Sequence, residues 1–291
     1  MPGVYLYVTA SAFFWGANFV LAGFVLHDLP PLWAAGLRFL IGAGLMFALS
    51  AARRETLLPL LARHAPTYLM LASVGIVGFN ILFFNAMRET SAANAALVMA
   101  TNPLLTTLLA SVLLGERPSL RHLIALPVAF FGVAVVITQG KPASMHISSG
   151  DLMMLGANAS WALYNVLGRK FMPKGSVLSN TTWISAFGAM LLCLAALASG
   201  THFGAVGTQA SLALAAMAVG GTVLAYLFWS IGILHLGAAR TSIFLNLVPV
   251  FAMLLGLAFG TAPTSAQIAG GALVLGGVSL SMLPQRRLTR A

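Results

Sequence analysis

Apolar residues run along this chain in stretches long enough to cross a hydrocarbon core, which takes roughly 20 residues of helix. The polar positions between them are few and brief. Ten stretches are predicted to be helices, over 4–26, 32–51, 67–87, 92–114, 120–138, 151–169, 178–199, 210–234, 240–260 and 265–283. The connections are short and carry most of the charged residues. No segment reads as a separate soluble domain, a linker or a low-complexity tail. Met1-Pro2-Gly3 places no basic side chain before the first stretch, which contains Trp15 and Asn18. That stretch therefore reads as a membrane span and not as a signal peptide.

Two of the stretches hold a proline in an apolar run, Pro103 and Pro249, 146 positions apart in a chain of 291. At the same offset Trp15 falls on Trp161, Gly75 on Gly221, and Ala92-Ala93 on Ala238-Ala239. Beyond the prolines the offset becomes 145, pairing Gly115 with Gly260 and Gly132 with Gly277. Such register marks a duplication. Each half holds five predicted spans, an odd number, so the second copy enters the membrane from the opposite side. The expected fold is an all-α membrane protein of ten transmembrane helices in two inverted five-helix repeats, residues 1–141 and 142–291.

Composition fixes the solvent. The chain is 59% hydrophobic and 7% charged, against about 25% charged in an average soluble domain. Its net charge of +10 suggests a nucleic-acid partner until the positions are sorted. With both termini placed in the cytoplasm, Arg53, Arg54, Arg63, Arg117, Arg121, Arg169, Lys170, Lys174, Arg240, Arg286, Arg287 and Arg290 fall on the inner side. Only Arg88 and Lys141 fall outside, and Arg38 lies within a span. This is a positive-inside asymmetry, as in a cell inner-membrane protein, and it excludes nucleic acid as the expected partner.

Reactive motifs are missing. No GxxxxGK[ST], HExxH or Cys-x-x-Cys occurs, and the histidines are dispersed, so neither a metal nor a cofactor is expected and an enzyme is not. The lone Cys193 can form no internal disulfide. The acidic residues Asp28, Glu55, Glu89, Glu116 and Asp151 all fall in connections or at span ends. A carboxylate-driven proton antiporter would need one at membrane depth. A neutral or zwitterionic small-molecule substrate fits better.

Aromatic and amide side chains line the middle instead. The candidate substrate-binding residues are Trp15 and Asn18 in the first span, Phe79, Asn80 and Phe83 in the third, and Met99 in the fourth. The second half adds Trp161, Tyr164, Tyr226, Trp229, Phe244 and Asn246. Amides are costly in lipid and belong inside the bundle or in a wet cavity. Trp15 and Asn18 share a helix face by their spacing of three, as do Trp161 and Tyr164. The alternative is plain helix packing. Pro103 and Pro249 should kink their helices and are candidate hinges. Arg38 either meets a substrate carboxylate at the outer vestibule or bonds backbone carbonyls or Asp28. Gly270, Gly271, Gly276, Gly277 and Ser281 suit close packing of the tenth span on the fifth or on a second protomer, and the oligomeric state stays open.

Several short patterns resemble a known family. Trp15-Gly16-Ala17-Asn18, Leu37-Arg38-Phe39, Asn102-Pro103-Leu104 and Leu113-Leu114-Gly115-Glu116-Arg117 are similar to EamA-type members of the drug/metabolite transporter superfamily. So are Gly237-Ala238-Ala239-Arg240-Thr241-Ser242 and Asn246-Leu247-Val248-Pro249-Val250-Phe251. The resemblance covers nearly the whole chain. It implies ten helices, two inverted repeats and export of small metabolites by alternating access, most like the exporters of aromatic and hydrophobic amino acids. A broad-specificity drug or other metabolite exporter, or a non-transporting polytopic membrane protein, is the alternative. The second half departs from the pattern, with Gly260-Thr261 where the first has Gly115-Glu116.

Overall fold

Long apolar runs leave the backbone no partner but itself, and every regular element described is a helix. The structure, a computed structural model, describes residues 2–116, 118, 120–141, 148–236, 241 and 243–282. Arg117, Gly237, Ala238, Ala239, Arg240, Ser242, Arg286, Arg287 and Arg290 lie outside the described residues. Helix α1 is Pro2–Asp28, α2 Pro31–Ala52, α3 Leu57–Ala86, α4 Ala92–Leu113 and α5 Leu120–Ile137. Then come α6 Ser149–Phe171, α7 Val177–Ala198, α8 Thr208–Leu236, α9 Leu247–Ala258 and α10 Ser265–Met282. Among the described residues, seven helices are long and apolar enough to cross a membrane, and α9 and α10 are shorter apolar helices.

The ends follow from local chemistry. Ser91, Ser148 and Ser176 cap α4, α6 and α7 by accepting from Asn94, Asp151 and Ser179 backbone N–H groups, which satisfies donors that a helix start leaves free. Gly115 and Gly260, paired by the sequence register, follow α4 and α9 with φ of 69° and 85°, a conformation that glycine adopts without strain.

Helix α3 begins ten residues earlier than the sequence predicts. Pro59 lies in its first turn and Pro66 inside it, and a proline early in a helix removes donors that have no partner anyway. Pro66 does not end it. Two helices also widen into π turns, α3 over Ser73–Gly78 and α8 over Met217–Leu224. Helix α4 breaks at Thr101, two residues before Pro103. A 3₁₀ turn over Ile243–Asn246 precedes α9, which carries Pro249 in its first turn.

Packing is paired. Helix α1 lies against α8 and α9, and α6 against α3 and α4, while α2 packs on α7 and α5 on α10. At the last contact, a Cβ on Gly132 would stand 2.7 Å from the Gly270 carbonyl oxygen, so the two backbones touch where side chains are absent. The interior is filled by Tyr68, Phe83, Phe84, Leu97 and Met154, all fully buried. Val112, Leu212 and Leu234 stand exposed on the outside, as residues facing acyl chains do.

Candidate functional site

The widened turn of α3 lies against α6 and α7, and that of α8 against α1 and α2. Each is met by a polar or aromatic residue of the facing helix. A Cβ on Gly75 would overlap the Tyr164 ring, and one on Gly221 would overlap the Asn18 amide. Ser160 donates to the Val74 carbonyl at 2.7 Å, and Trp15 Nε1 to the Gly221 carbonyl at 3.2 Å. Glycine at these two positions lets α6 and α1 reach the backbone.

From here a chain of ring contacts crosses the molecule. Trp229 lies 5.1 Å from Trp15, which lies 5.8 Å from Tyr226. Tyr226 reaches Trp161 at 6.4 Å, and Trp161 contacts both Tyr164 at 4.9 Å and Phe79 at 5.5 Å. Phe79 stacks on Phe83, whose ring meets Phe19 at 5.5 Å. Seven of the rings proposed from sequence thus join in one cluster drawn from α1, α3, α6 and α8. Such tilted and edge-on pairs favour one another beyond simple burial.

Two amides sit beside the rings with buried acceptors. Among the described residues, Asn18 Oδ1 and Asn80 Oδ1 have no hydrogen-bond partner, although Asn80 Nδ2 donates to the Ile76 carbonyl. An unsatisfied buried acceptor costs about 1–3 kcal/mol, so these oxygens are placed to receive a donor. Met99 is half-buried against the core near the α4 break. Phe244 and Asn246 lie apart from the ring cluster. Phe244 contacts Tyr5 at 6.1 Å, and Asn246 Nδ2 donates to Ser279 Oγ on α10.

The break in α4 is held by a network that the sequence reading missed. Asn158 Nδ2 donates to the Val98 carbonyl and to Thr101 Oγ1, at 3.0 and 2.8 Å. Asn102 Nδ2 donates back to the carbonyl and the Oδ1 of Asn158, and Asn165 Nδ2 to Asn102 Oδ1. Pro103 removes a backbone donor at this turn, and Asn158 supplies side-chain donors to the residues just before it. Asn158 and Asn165 are seven apart, two helical turns, and this spacing on one face was the signal available.

Arg38 is buried on α2. Its Nε donates to Thr222 Oγ1 at 3.1 Å, in the widened turn of α8. It does not pair with Asp28, which instead takes the Gly207 N–H and His27 Nδ1.

A cavity of about 920 Å³ opens at the end of the molecule that carries Asp28, Thr90 and Gly207. Phe19 lines it and also meets the Phe83 ring, so the cluster reaches the cavity at that one residue, and none of the rings proposed from sequence lines it. At the opposite end, Arg169 Nη1 donates to both carboxylate oxygens of Glu116, at 2.9 and 3.1 Å. Glu55 there accepts from Ser176 and Ser179. Those bonds to its charged form, Ser176 first, hold the Glu55 carboxyl below its ordinary range.

Comparison with known proteins places this geometry. The model of the EamA-like transporter family matches residues 2–138 and again 148–283. The chain is 37% identical to "Uncharacterized transporter YyaM" of Bacillus subtilis over 94% of this chain and 92% of that protein. It is 28% identical to a "Probable amino-acid metabolite efflux pump" of Salmonella typhimurium, over 92% of this chain and 91% of that one. A solved structure described as "Crystal structure of protein" superposes with a TM-score of 0.69 over 97% of this chain and 96% of its own, at 24% identity, and so shares the fold. With both halves matched, this multi-pass membrane protein belongs to the EamA-like transporter family.

Proposed function

We propose that the protein is a secondary carrier exporting aromatic and other hydrophobic amino acids, with related small metabolites, across an inner membrane by alternating access. In this reading ten transmembrane helices form two five-helix repeats, residues 1–141 and 142–291, that enter the membrane from opposite sides. Both ends of the chain are cytoplasmic. The reading needs no metal or cofactor.

The exchange of contacts between halves supports the inverted arrangement. Asn18 meets Gly221 and Tyr164 meets Gly75, and each residue of one pair lies 146 positions from a residue of the other. Swapped contacts of this kind are what a two-fold axis between halves produces. Separate matches of one family model to each half point the same way. Arg53, Arg54 and Arg63, at the end opposite the cavity, favour placing that end inside.

The observation that carries the substrate class is the continuous ring cluster shared by both halves. A wall of Trp, Tyr and Phe with orphan amide acceptors at Asn18 and Asn80 suits a solute with an apolar or aromatic body and a polar end. The cavity lined by Phe19 is then the outer vestibule, and the Glu116–Arg169 pair closes the inner side. Rocking at Pro103 and Pro249 would exchange the two, bringing Met99, Phe244 and Asn246 onto the path as the inner side opens. The Salmonella relative's description as an amino-acid metabolite efflux pump agrees with this class.

Counterflow in proteoliposomes tests the reading. Wild-type protein should exchange labelled phenylalanine, and Trp15→Ala, Trp161→Ala and Tyr164→Ala should each slow it while remaining monodisperse. Undiminished exchange in all three would remove the ring cluster from the path.

A further inference from the structure

We infer that the carried solute is a carboxylate and that Arg38 binds its carboxylate group, an inference that rests on the transport reading above. Arg38 is 6% exposed. Among the described residues its guanidinium makes one hydrogen bond, from Nε to Thr222 Oγ1. The planar fork of terminal N–H groups, whose geometry matches a carboxylate, is left over.

The chain itself supplies no counter-ion. It contains five acidic residues, and each is engaged elsewhere. Asp28 takes His27 and Gly207, Glu55 takes Ser176 and Ser179, and Asp151 takes Thr90. Glu89 takes Ser149, and Glu116 takes Arg169. A buried cation without a counter-ion costs several kcal/mol, which one threonine hydroxyl and the Phe39 ring 5.2 Å away do not offset. In a membrane protein such a charge marks a ligand path.

Its surroundings suit the same ligand. Thr222 follows Gly221, against which Asn18 lies, and among the described residues the Asn18 Oδ1 acceptor has no donor. Tyr226, one turn further along α8, belongs to the ring cluster. A cationic fork, an orphan acceptor and a ring wall therefore converge on one turn of α8. An α-amino acid fits all three, with its carboxylate on Arg38, its ammonium on Asn18 Oδ1 and its side chain among the rings.

The test compares phenylalanine with phenylalaninamide, which keeps the ring and ammonium but lacks the carboxylate, in counterflow with wild-type, Arg38→Gln and Arg38→Lys protein. Wild type should carry the acid about tenfold faster than the amide, given the strength of charge-assisted bidentate pairing. Arg38→Gln should bring that ratio to about one, and Arg38→Lys, a point charge without the fork, should lie between. Equal carriage of both compounds by wild type overturns the inference while leaving transport intact, and this comparison stands even if the variants do not fold. Loss of both rates in Arg38→Gln with the ratio kept also overturns it, leaving Arg38 only a structural tie to α8. Carriage of neither compound by wild type overturns the transport reading, and the inference with it.

Discussion

Tyr164 of α6 lies so close on Gly75 of α3 that a methyl group there would overlap its ring. The ring is also in contact with Trp161 at 4.9 Å, so displacing one disturbs the other. Gly75→Ala should therefore destabilise the protein by about 1–3 kcal/mol, the usual cost of overpacking, and should slow counterflow. Gly221→Ala, which would push the Asn18 amide, should do the same. Thermal unfolding in detergent together with counterflow checks both. A variant as stable and active as wild type would mean that the contact is slack.

Asn158 ties α6 to the break in α4 through three polar partners. Interhelical hydrogen bonds in membranes average about 0.6 kcal/mol each, so Asn158→Ala should cost about 1–2 kcal/mol. Asn158→Asp keeps an acceptor for Asn102 but loses the donors to Val98 and Thr101, and should recover only part of it. Equal stability of all three proteins would show that the proline turn holds its shape without side-chain support.

Glu55 offers a titration free of the membrane interior. Its carboxyl is held below its ordinary 4.5 by hydrogen bonds from Ser176 and then Ser179. A group whose pKa is lower folded than unfolded adds stability above the unfolded value and loses it as the pH falls through the folded value. The tie between the α2–α3 connection and α7 should therefore be intact at neutral pH and released only as the pH falls below the ordinary glutamate range. The chain has three glutamates, Glu55, Glu89 and Glu116, so carboxyl-¹³C glutamate labelling gives three resonances to follow. Ser176→Ala should raise the Glu55 midpoint; an unmoved midpoint would contradict the cause.

The helices were legible because hydrocarbon demands long apolar runs: α1, read as 4–26, is Pro2–Asp28, and seven helices among the described residues are long and apolar enough to cross a membrane. The start of α3 was not: the predicted span opens at residue 67, just after Pro66, whereas the helix begins at Leu57 and runs through that proline. The π turns left no trace in the pattern: Gly75 and Gly221 look like any small residues until Tyr164 and Asn18 are seen against them. Rings were easier to place than amides. Trp15, Trp161, Tyr164 and Tyr226 fall together, whereas Asn246 turns to α10 and Asn158, unremarked between two alanines, holds the α4 break. A ring's destination follows from its helix face, but an amide's follows from whichever backbone group happens to lack a partner.

The Glu116–Arg169 pair is half-exposed on both sides, and such pairs add at most about 1 kcal/mol to stability. Its positional counterparts in the other half, Gly23 and Thr261, border the open cavity. Glu116→Gln should thus leave unfolding nearly unchanged yet ease opening of the inner side, seen as faster labelling of a cysteine placed there. Charge exchange, Glu116→Arg with Arg169→Glu, should restore the slower labelling. If the exchange fails to restore it, the pair is not a latch.

The cavity lined by Phe19 should be one of two alternating entrances to the ring cluster. Gly23 lines that cavity and has open space where a Cβ would go, so Gly23→Cys in a Cys193→Ser background is a clean probe. The direct measurement is its labelling by an impermeant thiol reagent in sealed vesicles of known orientation, with and without phenylalanine. Labelling from the outer side that changes in rate when phenylalanine is added is the predicted result. Labelling from the inner side alone, or at a rate indifferent to phenylalanine, would contradict the claim.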